Sequence, residues 1–175
     1  CLVDLWQNAA KTAKISNDDP MHLFHLKEAK LLIKCFLNYL RFCRQEVDLL
    51  FQMLSIFTIR SSLEFTFLKD FYAVQVAENY AQKEKHDILQ RFLTFFRDPA
   101  VSQEHKVQAL QVMIIPLLSA SFEKNEYKEV FTPALIGAIV NDILEPKPGE
   151  PAYEDALNIE LLQLATLLVR YVQSD

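Results

Sequence analysis

Apolar side chains recur at intervals of three and four along almost the whole of this 175-residue chain, and only two glycines, Gly137 and Gly149, interrupt it. A period near 3.6 places such residues on one face of a helix. Scarce glycine removes most of the left-handed turns on which tight hairpins and phosphate-cradling loops depend. The sequence therefore predicts an all-α protein, and a 51% share of hydrophobic residues provides for a large core.

Seven main helices are expected, with a short eighth around LVDLW near the start. In EAKLLIKCFLNYLRFC the apolar row reads Leu32, Cys35, Phe36, Tyr39, Leu40 and Cys43, with Lys27, Lys30, Lys34 and Arg41 on the other side. Val47, Leu50, Phe51 and Leu54 form the next row. SSLEFTFLKDFYAVQVAENY is apolar on two sides, with Leu63, Phe67, Phe71 and Val74 on one and Phe65, Leu68, Tyr72 and Val76 on the other. Alternation in LEFTF also fits a strand, but the residues that follow keep helical spacing without a turn signal. EKHDILQRFLTFF directs Ile88, Phe92, Phe95 and Phe96 inward and Lys85, Asp87, Gln90, Arg91 and Thr94 outward.

The stops are as informative as the rows. Asp98 accepts backbone hydrogen bonds and Pro99 disfavours helical geometry before it, so one helix ends there. Ser102 then caps a helix lined by Val107, Leu110, Ile114, Leu117 and Ser121. Pro116 lies inside that helix, lacks the amide that would reach the Val112 carbonyl, and is expected to kink or end it. EKNEYKEV reads as a polar insert before Thr132 and Pro133, which start a helix with Ile136, Ile139, Val140 and Ile143 on its stripe. After EPKPGEP, a last helix aligns Leu157, Leu161, Leu164, Leu168 and Tyr171.

Helix starts near Leu23, Ser62 and Ser102 are spaced by about forty residues, the period of HEAT and armadillo repeats. Asp-Pro recurs at Asp19-Pro20 and Asp98-Pro99, two periods apart. The expected architecture is a HEAT/armadillo-like helical-repeat solenoid segment of about seven to eight helices. Residues 1–175 form one segment, with hairpins at about 21–58, 62–97 and 102–145 and a last helix at 152–173. Cys1 in place of an initiator Met, and a helix running to Asp175, suggest a piece of something longer.

A net charge of -5 and a pI near 5.4 give no general attraction to nucleic acid or anionic lipid. No run of about 20 purely apolar residues occurs, so no membrane span is expected. Three cysteines without metal-type spacing indicate a reducing compartment. Cys35 and Cys43 are expected in the core.

His22 and His25, with Glu28 one turn further, are the tightest possible metal set, but nothing supplies a further ligand. They are read as solvated or partly packed, and His86 and His105 as surface residues. Phosphate-loop, dinucleotide, zinc-protease and serine-hydrolase motifs are absent from the sequence. No catalytic, cofactor or metal residue is assigned. The basic row Lys27, Lys30, Lys34 and Arg41 is the one candidate partner-binding face.

The blocks HLKEAKLLIKCFLNYL at 25–40, EVDLLFQMLSIFTIRSSLEFTFLKDFY at 46–72, VSQEHKVQALQVMIIPLL at 101–118 and LLQLATLLVRY at 161–171 resemble the HEAT-repeat region of the TRRAP family of giant transcription adaptors. That resemblance implies a non-catalytic, nuclear scaffold whose kinase-like domain lies elsewhere and lacks catalytic residues. The partners implied are subunits of SAGA-type histone acetyltransferase complexes and transcription activators. A HEAT-type transport or cargo carrier and a small all-helical metal enzyme using His22, His25 and Glu28 are the competing expectations.

Overall fold

A computed structural model of the chain describes residues 4, 7, 8, 20–58 and 62–173. Every regular element among the described residues is helical. The short helix expected around LVDLW falls, apart from Asp4, outside them, as do Cys1 and Asp19. Two compact units divide the chain, residues 1–71 and residues 72–175.

Over residues 20–58 the first unit holds α1 (His22–Leu40) and α2 (Val47–Met53), which tightens into a 3₁₀ turn at Leu54–Thr58. A second 3₁₀ turn, Ser62–Phe65, leads into α3 (Thr66–Asp70), so the LEFTF stretch is helical. The core face of α1 is Leu26, Ala29, Ile33, Phe36, Leu37 and Leu40. That row is turned by about one residue from the expected one, and it leaves Cys35 exposed and Cys43 only half-buried. Both sides of the helix carry apolar residues, and periodicity alone does not say which one the core takes. The Lys34 ammonium lies over the Phe67 ring at 5.4 Å and the Lys69 ammonium over Phe57 at 5.4 Å.

From α3 the chain continues through a π-helical turn, Phe71–Val76, into α4 (Ala77–Asn79). Phe65, Leu68, Tyr72 and Val76 are fully buried, whereas on the other expected face Phe71 is buried, Phe67 half-buried and Leu63 and Val74 exposed, so that second face is covered only in part.

In the second unit, α5 (Gln82–Arg97) starts where the Glu84 carboxylate accepts the Ala81 N–H at 2.7 Å. It ends at Asp98, whose side chain accepts the Ala100 N–H at 2.9 Å. Ser102 Oγ accepts from the His105 amide, capping α6 (Gln103–Gln108) as expected. α6 widens into a π turn, Ala109–Ile114, and continues as α7 (Ile115–Glu123). Pro116 thus neither ends the helix nor starts a new one. The widened turn, in which the Ile115 N–H reaches back five residues to Leu110, precedes the proline and absorbs its clash with the preceding carbonyls.

The supposed polar insert holds a short helix, α8 (Tyr127–Val130), entered through Asn125 at φ 56°, a left-handed position that asparagine tolerates. Thr132 caps α9 (Pro133–Asp142) by accepting the Leu135 amide, and α10 (Asp155–Gln173) closes the described chain.

Polar links within this unit join residues at a nearly constant separation. Lys124 meets Glu78, Lys85 meets Glu126, His86 meets the Val130 carbonyl, Arg97 meets Asp142, and Gln103 bonds the backbone at Ala152 and Glu154. The separations run from 41 to 51 residues. Equivalent points of successive helical pairs therefore stack on one another, with α4 against α7, α5 against α8 and α9, and α10 against α6 and α7.

Lys85 was expected to face solvent. Its side chain is fully buried, and its ammonium lies 2.7 Å from a Glu126 carboxylate that is 21% exposed. Removal of one partner leaves the other charge without its counterion. Glu126→Ala is expected to cost about 3 kcal/mol in urea unfolding, and Lys85→Met combined with Glu126→Leu to restore most of it. Phe92 is fully buried beside Phe96, with ring centroids 5.7 Å apart. Phe92→Ala should destabilise by about 3 to 5 kcal/mol in the same measurement.

Candidate interaction surfaces

On α1 the basic row forms one line along the helix. Lys30 bonds the Glu64 carboxylate, and that hydrogen bond and charge hold the Glu64 pKa below the usual carboxylate range. Lys27, Lys34 and Arg41 stay exposed, and the Arg41 carbonyl accepts a bond from Arg44 Nε at 3.3 Å. The structure thus keeps three of the four cations at the surface and engages the fourth within the unit. Exposed cations of this kind add about 0 to 1 kcal/mol per pair and act mainly on orientation and encounter.

Beside that row runs a feature the periodicity concealed. Phe24, Leu31 and Cys35 on α1, with Phe42 just beyond its end, follow one another at separations of seven, four and seven along the solvent side. Phe24 is 59% exposed and Phe42 86%. α10 repeats the arrangement with Ile159, Leu162, Val169 and Val172 exposed opposite its buried leucines. The signal was present in the sequence as helices apolar on two sides, but nothing in it said which side stays bare.

The second unit also holds an open cavity of about 380 Å³ where the end of α5, the turn before α6 and the loop after α9 meet. Phe96, Pro99, Pro151 and Tyr153 supply apolar wall, while Lys106 sits over the Phe96 ring at 4.9 Å. Desolvation lowers the Lys106 pKa and raises that of Tyr153, whose ring stands edge-on to Phe96 at 5.9 Å. Asp142 there is engaged by Arg97 and, at 3.4 Å, by Lys147. The Ser102 hydroxyl in the wall accepts the His105 amide as the helix cap.

His25 Nδ1 lies 3.7 Å from the Glu28 carboxylate. Among the described residues no group of three or more His, Cys, Asp or Glu side chains is placed to hold a metal ion. His86 and His105 are half-buried rather than surface residues. His86 Nδ1 lies 3.1 Å from the Val130 carbonyl, which requires the proton on that nitrogen, and His105 stands edge-on to Phe95 at 5.2 Å. No helix among the described residues is long and apolar enough to cross a membrane.

Stacked helical pairs with period-spaced contacts define an all-α repeat protein of the HEAT class. The sequence profile of the Tra1 HEAT repeat ring region matches residues 1–175, and the chain belongs to that family. It is 35% identical over 99% of its length to the probable transcription-associated protein 1 of Dictyostelium discoideum. It is 34% identical over 83% of its length to the transformation/transcription domain-associated protein of Homo sapiens, and 30% over 96% to the transcription-associated protein 1 of Drosophila melanogaster. The chain spans about 4% of the length of each of these relatives. No solved structure matches it.

Glu160, on the buried side of α10, has its pKa raised by desolvation. The folded state then holds a proton that the unfolded chain has released, so stability falls as pH rises from the ordinary carboxylate range through the folded pKa. Glu160→Gln is expected to stabilise the protein at pH 7, and the gain should vanish below the ordinary carboxylate range, as read by thermal unfolding across pH.

Proposed function

We propose that this chain is a non-catalytic scaffold segment of a nuclear transcription coactivator adaptor, linking activators to histone acetyltransferase assemblies of the SAGA type. The observation that carries the reading is the full-length match to a HEAT repeat ring region, shared with relatives named as transcription-associated proteins. Stacked helical pairs suit this work because their exposed area grows with every repeat. The surface offers means of binding: apolar rows on α1 and α10 and cations beside the first of these stand exposed, and at the cavity Ser102 caps a helix while Arg97 and Asp142 form an ion pair.

In this reading the chain divides into hairpins at about 21–58, 62–97 and 102–145, followed by the helix at 152–173. Lys27, Lys34 and Arg41 offer an electrostatic guide to an acidic subunit, while Lys30 holds Glu64 and keeps the row in register.

The test is affinity purification of the native long polypeptide that carries this sequence, followed by quantitative mass spectrometry. Acetyltransferase subunits should co-purify in fixed ratio, and a preparation without them would refute the assignment. Charge reversal at Lys27, Lys34 and Arg41 together is expected to lower recovery of at least one subunit several-fold, more so at low salt, with the level of the polypeptide unchanged.

A further inference from the structure

Most lysines among the described residues fall into two groups. Lys30, Lys85, Lys124 and Lys147 each lie against a carboxylate, that of Glu64, Glu126, Glu78 and Asp142 in turn. Lys27, Lys34, Lys69, Lys83 and Lys128 are exposed to water. Lys106 belongs to neither group. Its side chain is half-buried in the wall of the cavity, and its ammonium meets the Phe96 ring at 4.9 Å rather than any carboxylate of the described residues.

The surroundings of that nitrogen favour its neutral form. Burial lowers the Lys106 pKa, and the more distant Glu150 and Asp98 carboxylates offset this only in part. The Phe96 face also favours the charged form, but by the weak pull of a ring rather than that of a full countercharge. The remaining charges at the cavity are bound to one another, Arg97 and Lys147 both to Asp142, and the Tyr153 phenol is kept neutral by a pKa that burial raises. A desolvated lysine amine of this kind is a nucleophile. Beside it lies open space of about 380 Å³, walled by Phe96, Pro99, Pro151 and Tyr153, within the range of about 300 to 1,000 Å³ typical of small-molecule sites.

We propose that Lys106 is an acylation site, its amine taking a short acyl group from a coenzyme A thioester at the mouth of this cavity. The amine lone pair attacks the thioester carbonyl, the new C–N bond forms and the C–S bond breaks. The departing thiolate takes up the proton that the nitrogen loses, leaving an amide and a free thiol. Acylation fits the site better than methylation does, because methylation keeps the charge that burial disfavours and acylation removes it. The cavity lining carries three cations and two carboxylates, so the modification also leaves the two signs balanced there.

The inference rests on the cavity and its lysine and is independent of any transcriptional partner. It is tested by incubating the native long polypeptide with acetyl-coenzyme A alone and reading acetyl occupancy by peptide mass spectrometry. Each lysine's rate is normalised to its own rate in urea. Near neutral pH Lys106 should react several-fold faster than exposed Lys27 and than Lys147, which shares the cavity but is ion-paired. A lowered folded pKa leaves more neutral amine below the ordinary lysine range, so the lead should shrink as pH rises into that range, where every lysine is neutral. Glu150→Gln removes a carboxylate that holds the proton, and it should raise the Lys106 rate further while leaving Lys27 unchanged. No lead near neutrality, a lead indifferent to pH, or no response to Glu150→Gln would each overturn the proposal. Acetyltransferase subunits do not enter the assay, so this proposal and the scaffold assignment fail separately.

Discussion

The buried face of α5 holds the second unit together. Ile88, Leu89, Phe92, Phe95 and Phe96 are removed from water on it, and α8 and α9 both pack against that helix. Burying aromatic side chains of this size is the largest favourable term available to a chain without disulfides or metal among its described residues. Apolar contact has no direction, however, and would tolerate a slip along the helix. Direction is supplied at the two ends, where Lys85 takes Glu126 and Arg97 takes Asp142. Both partners advance along the chain in the same sense, so α5 and the segment over 126–142 run parallel. That is the relation between corresponding helices of successive repeats.

Most of the architecture was legible in the sequence because its signals are local. Ser102, Thr132 with Pro133, and Asp98 act as caps and stops through bonds to residues two or three positions away. The inward faces of α5 and α10 follow directly from period and composition. What escaped depended on partners far along the chain. Lys85 reads as a solvent residue until Glu126 arrives from 41 positions away. Cys35 reads as a core thiol until Ile33 and Leu37 prove to own the covered face of α1. EKNEYKEV reads as a polar loop until the turn at Asn125 and the contact with α5 give α8 its place.

The interaction surfaces were legible to a smaller degree for the same reason. A helix with two apolar faces announces that it needs two neighbours, but only packing reveals which neighbour is already present. The basic row on α1 was visible at helical spacing, while the pairing of Lys30 with Glu64 needed the fold. The cavity beside Phe96 and Tyr153 has no linear signature, since its walls come from three segments brought together by the stacking.

The π turn before Pro116 has a consequence for how this helix can vary in length. A widened turn of this kind accommodates one residue more than an α-helix needs for the same rise. At Ala109–Ile114 the extra residue is useful because a proline follows, whose ring would otherwise meet the carbonyl one turn back. Chain length and side-chain identity are therefore tied at this point. Loss of the proline would remove the reason for the extra residue, and deletion of the residue would bring the proline ring back against that carbonyl.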